Sequence, residues 1–293
     1  MKLTHFLKAA ALATATSLAA AGALADTPAN PSVVSYDHGA LDTLLALGQQ
    51  AQVLAVPKSG LPDYLQDFAA DLSDGGSLKQ PDLELLKKLQ PDLVLVTGRQ
   101  GDSAEKLKAF TAVKNVSLAE GPYRQSLETK VMELAALYGQ EPQARQQLDA
   151  LWQHVEDQRK HLPADTKVVV VTHNAGKFSL RQEAVVTELL GLQQPELPAS
   201  VEAVKRGARV FYPMTPESLV EMAPDLILVV DRSAAIGQEP LPEGALNQAL
   251  AAAGGEQIQV KRLDPALWYL SGAGLQSTRL QVDEVSQAVT AAH

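Results

Sequence analysis

One pattern occurs twice in this chain, and it limits the possible folds more than any other feature. Residues 84–99 read Glu-Leu-Leu-Lys-Lys-Leu-Gln-Pro-Asp-Leu-Val-Leu-Val-Thr-Gly-Arg, and residues 217–232 read Glu-Ser-Leu-Val-Glu-Met-Ala-Pro-Asp-Leu-Ile-Leu-Val-Val-Asp-Arg. In both copies a Glu stands seven residues before the proline and an Arg eight after it, so Glu84 and Arg99 repeat the spacing of Glu217 and Arg232. Each copy reads as a short helix, a Pro-Asp turn and a buried strand that ends in a cation. The copies are 133 residues apart, whereas a solenoid repeats every roughly 20–50 residues. They indicate two similar lobes.

The strands in both copies are continuous apolar runs between helices, the pattern of a parallel sheet covered on both faces. Strand and helix alternate along the whole chain, which predicts an α/β fold. Val33–Tyr36 and Val168–Thr172 read as matching first strands of the two lobes. From about Ser126 to His161 runs the longest helical pattern, interrupted near Gly139–Pro142, and it predicts a rigid connector. The expected division is a leader over 1–25, an N-terminal lobe over 26–125, a connecting helix over 126–162 and a C-terminal lobe over 163–293. Gln193–Ala208, with its prolines and weak periodicity, reads as a loop.

The leader carries Lys2 and Lys8, a small and apolar stretch from Ala9 to Leu24, and Ala23-Leu24-Ala25 before Asp26, as a cleavable secretory signal does. The chain has no cysteine, so the expected exported protein has neither a lipid anchor on cysteine nor a disulfide, and its stability must come from a sizeable core. A bacterial periplasm fits. Without the leader's two lysines, 23 basic residues face 34 acidic ones, a net charge of −11, which argues against nucleic acid or an anionic membrane as partner. An anionic ligand would need a local cationic pocket.

Ligands of open parallel sheets bind outside the carboxyl ends of the strands. Arg99 and Arg232 stand just after their strands, where a side chain can enter such a crevice. Each preceding helix runs antiparallel to its strand, so Glu84 and Glu217 belong to the same rim. Arg181 ends a probable hairpin and is either a cleft cation or a solvated turn charge. Trp268 and Tyr269, ahead of Ser271-Gly272-Ala273-Gly274, are either core aromatics or a ligand wall. His38, in the first strand-helix turn, is either a cleft residue or a surface or capping residue. Enzyme motifs are missing: there is no Gly-x-Ser-x-Gly elbow, Gly-x-Gly-x-x-Gly turn or phosphate-binding Gly-Lys-Ser/Thr loop.

Several stretches together resemble the solute-binding proteins of ferric-siderophore ABC importers, in particular the catecholate-binding group. They are Val34–Asp37 with Ala40–Leu44, Val56–Ser59 with Leu61-Pro62, Val229–Gly237, and Trp268–Leu275. The resemblance implies two Rossmann-like lobes joined by one long rigid helix, the class III binding-protein architecture, with a shallow cleft and little hinge motion. It also implies a monomer without an intrinsic cofactor, whose transported ligand is a ferric siderophore. An arginine triad at Arg99, Arg181 and Arg232 would surround the anionic complex, Tyr269 would be able to reach iron as a phenolate, and Glu84 and Glu217 would dock on an ABC permease dimer. The family's usual histidine in the loop before the second copy is replaced here by Arg206, which suits a more anionic, fully coordinated complex. Haem and cobalamin binding within the same superfamily are the alternatives, and an exported enzyme ranks below them.

Overall fold

A computed structural model describes residues 29–163, 165–207 and 209–292. The expected leader lies outside the described residues. Strands β1 (Val33–Ser35), β2 (Val53–Val56), β3 (Ser73–Asp74), β4 (Leu93–Val96) and β5 (Ala112–Asn115) form one all-parallel sheet in the order β3-β2-β1-β4-β5. Helices α1 (His38–Ala46), α2 (Asp63–Ala69), α3 (Leu83–Leu89) and α4 (Asp102–Leu107) connect them. All four residues of β4 are buried, which is why the strand is apolar throughout rather than alternating.

The connector is two helices rather than one. Helix α5 (Tyr123–Ala136) ends before Gly139, whose φ of +63° suits glycine. Helix α6 (Glu141–His161) then starts with Pro142 in its first turn, where proline's missing N–H costs nothing.

The C-terminal lobe contains β6 (Val168–Asn174), β7 (Lys177–Leu180), a π-helical turn over Val185–Leu189, the ribbon β8 (Val204–Arg206) and β9 (Arg209–Phe211), and β10 (Pro213–Met214). Then come α7 (Pro216–Glu221), β11 (Leu226–Asp231), α8 (Arg232–Ala235), α9 (Ala245–Ala252), β12 (Gln259–Leu263), α10 (Pro265–Tyr269) and α11 (Leu275–Ala292). The sheet order is β10-β7-β6-β11-β12, parallel across β6, β11 and β12, with β7 antiparallel to both of its neighbours, β6 and β10. The ribbon β8–β9 is a separate two-stranded sheet, whose first strand falls in the segment 193–208 expected to be a loop and whose second lies just after it.

The repeated stretch becomes α3–β4 in one lobe and α7–β11 in the other, with β1 and β6 as equivalent neighbours. Each Pro-Asp turn does the same work. Asp92 accepts a hydrogen bond from the Ser32 amide at 2.9 Å, just before β1. Asp225 accepts one from the Lys167 amide at 2.8 Å, just before β6. The aspartate therefore ties the entry of its own strand to that of its neighbour.

The lobes meet through α1 and α11. Asp42 of α1 is fully buried and caps α11, accepting from the Gln276 amide at 3.1 Å and the Ser277 amide at 3.0 Å. The Tyr64 hydroxyl bonds both Asp42, at 3.1 Å, and Ser271, at 2.7 Å. Backbone touches backbone here: a Cβ on Gly39 would lie 2.0 Å from the Gly272 carbonyl oxygen, and one on Gly274 would lie 2.1 Å from that of Gly39. One apolar core runs through the junction, joining Leu47, Leu127 and Val131 to Leu151, Trp152, Val282 and Val285.

Candidate functional site

Three arginines from three segments converge on the C-terminal end of α10. Arg99 follows β4, and its Nη2 donates to the Tyr269 carbonyl at 2.6 Å across the lobe boundary. Arg181 follows β7, and its Nη2 donates to the Trp268 carbonyl at 3.0 Å while its Nε donates to Glu183. Arg232 opens α8, and its Nε donates to the Tyr269 hydroxyl at 2.8 Å while Nη1 donates to Asn174. The last carbonyls of a helix lack intrahelical partners and carry partial negative charge, so the end of α10 suits the collection of guanidinium groups.

Tyr269 is the centre of the cluster. The Cζ atoms of Arg99 and Arg232 each lie 5.6 Å from its ring centroid, within cation–π range. Desolvation at the lobe junction lowers the Arg99 pKa, opposed by Tyr269 and Asp37 and reinforced by the charges of Arg181 and Arg209. The group stays charged at neutral pH all the same, because arginine starts so high. Glu183 is half-buried, and desolvation raises its pKa despite the neighbouring Arg181. This pair offsets part of the Arg181 charge, leaving Arg99 and Arg232 as the freer cations.

Beneath the site, Asp231 immediately before Arg232 is fixed on several sides. It pairs with His173 Nδ1 at 2.8 Å and accepts from the Leu241 amide at 2.7 Å and the Ala234 amide at 3.2 Å. Burial raises its pKa, but these hydrogen bonds outweigh burial and hold the carboxyl below its usual range. In the other lobe Asp37 caps α1 through the Ala40 amide at 2.7 Å and receives the buried Lys130 ammonium at 2.7 Å.

Four of the expected site residues, Arg99, Arg181, Arg232 and Tyr269, come together. Trp268 does not form a ligand wall: it is 1% exposed, and its Nε1 donates to Glu284 at 2.5 Å, so it faces the core while Tyr269 faces the cleft. His38 is neither a cleft residue nor a surface cap. It is 0% exposed, with neither ring nitrogen in a well-formed hydrogen bond among the described residues, and the capping residue is Asp37. Desolvation pushes the His38 pKa down to about 4.

Arg206 stands on the ribbon, exposed, with its Cζ 6.0 Å from the Phe211 ring centroid, and among the described residues it makes no hydrogen bond to the cluster. Its neighbour Arg209 is the ribbon cation that acts on Arg99. Asn174, which accepts from Arg232, is a site residue that the linear chain did not single out. The sequence signal for Arg209 is the Gly207 turn between Val204-Lys205-Arg206 and Arg209-Val210-Phe211, the spacing of a two-residue hairpin loop.

Glu84 and Glu217 occupy matching positions, one in the first turn of α3 and one in the first turn of α7. Glu84 is highly exposed and pairs with Lys87 at 2.7 Å. Glu217 is unpaired among the described residues, and the backbone at the start of its helix together with Thr215 holds its carboxyl below the usual range. Among the described residues no group of three His, Cys, Asp or Glu side chains could hold a metal ion, and no helix is long and apolar enough to cross a membrane. The cleft thus presents fixed cations and a phenol, a set suited to an anionic complex with delocalised charge.

Comparison with known proteins places the chain among binding proteins. Over 274 residues the chain is 28% identical to the petrobactin-binding protein YclQ of Bacillus subtilis, spanning 89% of this chain and 84% of that one. The crystal structure of YclQ superposes with a TM-score of 0.79 at 26% identity, covering 90% and 93% of the two chains. The iron-uptake ABC transporter substrate-binding protein PiuA of Streptococcus pneumoniae gives a TM-score of 0.75 at 25% identity, covering 88% and 93%. Both relatives are binding proteins, one of petrobactin and one as the substrate-binding component of an iron-uptake ABC transporter. The periplasmic binding protein family model matches residues 33–258, covering the N-terminal sheet, the connector and the C-terminal sheet as far as β11, and the chain belongs to that family.

Proposed function

We propose that this protein is the periplasmic receptor of an iron-uptake ABC importer, capturing a ferric siderophore of catecholate type and delivering it to the permease. The observation that carries the reading is the convergence of Arg99, Arg181 and Arg232 on Tyr269 at the lobe boundary. A ferric tris-catecholate has a net charge of −3 spread over its oxygens, and planar guanidinium groups complement that distribution. The relatives YclQ and the ferric-anguibactin-binding protein FatB of Vibrio anguillarum, 24% identical over 270 residues, support a ferric siderophore as the ligand class. Tyr269 is the protein oxygen donor available to iron with a vacant coordination site, since hard Fe(III) favours oxygen.

Glu84 and Glu217, at equivalent places on the two lobes, would meet the two halves of a permease dimer, and the receptor would act as a monomer. Export by cleavage of the leader before Asp26 completes the reading. Titration with a ferric tris-catecholate, haem and cobalamin, followed by tryptophan fluorescence and visible absorption, tests it. Saturation by the ferric complex at micromolar concentration is expected. Silence towards the ferric complexes with a Soret band on adding haem would replace the siderophore by haem. Uptake that persists in a Glu84→Ala/Glu217→Ala double variant with unchanged binding would remove the docking role.

A further inference from the structure

The β8–β9 ribbon is an element with unmet needs. Among the described residues it pairs only with itself, and a lone two-stranded ribbon is marginal in water. It holds two of the three large apolar side chains that are most exposed among the described residues, Val204 at 39% and Val210 at 48%. Arg206 and Arg209 face each other directly across the ribbon. Opposed residues of an antiparallel pair project to the same face, and like charges so placed repel. Neither arginine forms an ion pair among the described residues. The adjacent pair, Lys205 and Val210, projects to the other face, and Val204 and Phe211 are the next opposed pair on the same face as the arginines, so a single face carries two cations, an aliphatic group and an aromatic ring, and Arg206 rests on that ring.

A repulsive cation pair on an unsupported apolar ribbon is stabilised by an anion that also presents apolar faces. The ribbon runs into Tyr212, whose carbonyl accepts from the Leu180 amide at 2.9 Å, next to Arg181, so the anion would lie where the ribbon meets the arginine cluster; the Arg209 charge also adds to the lowering of the Arg99 pKa. We propose that the ribbon is a flap completing the binding site, with Arg209 as a fourth ligand cation and Val204 and Phe211 as its apolar wall, selecting fully coordinated, highly anionic aromatic complexes over neutral ones. The flap rests on the receptor reading above and assigns the ligand's charge class to one residue. Arg206, occupied by Phe211, supports the flap rather than the ligand. The flap would supply charge rather than a metal ligand at this edge of the cleft.

The test compares wild type, Arg209→Gln and Arg206→Gln against two probes, a ferric tris-catecholate of charge −3 and a neutral ferric trihydroxamate, at two salt concentrations. Removing one charge-assisted contact should weaken the tris-catecholate about tenfold in Arg209→Gln, with a shallower salt dependence, and by less than about threefold in Arg206→Gln. Any weak affinity for the trihydroxamate should stay unchanged in both variants. Amide hydrogen exchange across 204–211 should slow when the tris-catecholate is added to wild type. Tight wild-type binding with no loss in Arg209→Gln and no protection of the ribbon overturns the flap and leaves the receptor standing. Failure of wild type to bind the tris-catecholate overturns the receptor reading and the flap together.

Discussion

Replacing Asp42 by asparagine tests whether the lobe junction is held by a buried carboxylate. The two carboxylate oxygens accept from consecutive amides at the start of α11, while the Tyr64 hydroxyl donates to one of them. Asparagine keeps the volume but only one acceptor, so one amide must face an NH2 group. The loss of a helix cap plus an unmet buried donor should destabilise the fold by about 2–3 kcal/mol at pH 7. The pH dependence is more diagnostic. Desolvation raises the Asp42 pKa to about 6 from an unperturbed 3.8, against the opposing pull of its hydrogen bonds. Between these values the folded state binds a proton that the unfolded state does not, so the wild type gains stability as pH falls through 6.

The Asp42→Asn variant has no such gain, and the gap between it and wild type should widen by about 1 kcal/mol from pH 7 to pH 5. His38, present in both proteins, cancels in the comparison. Urea unfolding followed by tryptophan fluorescence at both pH values measures the gap. An equal or narrower gap at pH 5 would refute the desolvated carboxylate. A cost below about 0.5 kcal/mol at both pH values would refute the cap itself.

The Arg99→Ala/Arg232→Ala double variant should bind the ferric complex about 100-fold or more weakly with an unchanged melting temperature, since each arginine supplies a charge-assisted contact; isothermal titration checks this. The His38 ring, its pKa lowered to about 4 by burial, should remain neutral down to about pH 5 by NMR. It binds fewer protons folded than unfolded, so its contribution to stability is lost as pH falls from about 6.5 towards 4. Gly39→Ala would put a methyl group 2.0 Å from a carbonyl oxygen of the other lobe and should cost about 3 kcal/mol or more in chemical denaturation.

The two lobes and the strand-end arginines were legible because local rules govern them. An apolar strand buried on both faces has no alternation, and a cation at its carboxyl end has one natural place to go. The split connector was visible in Gly139 and Pro142. The failures share a cause, which is contact with a distant part of the chain. His38 looks like an open turn until the C-terminal lobe, more than 200 residues on, covers it. Trp268 and Tyr269 are adjacent on a helix of only five residues, too short for periodicity to separate the core side from the cleft side. Asp42 reads as a polar face of α1, because its partners are the amides of 276 and 277. Arg206 and Arg209 flank one turn and face each other on one side of the ribbon, and only the contact of Arg206 with Phe211 distinguishes them.

The glycine contacts between the lobes have a further consequence. With backbone pressed on backbone at Gly39, Gly272 and Gly274, the junction leaves little room for a hinge, and under the proposed docking role the span from Glu84 to Glu217 would act as a fixed gauge, the same before and after capture. A partner that reads only that gauge meets identical geometry in the empty and the loaded receptor. Under the proposed receptor role, what would change is the charge beside Arg99, Arg181 and Arg232, three guanidinium groups alone before capture and offset by the anion after it.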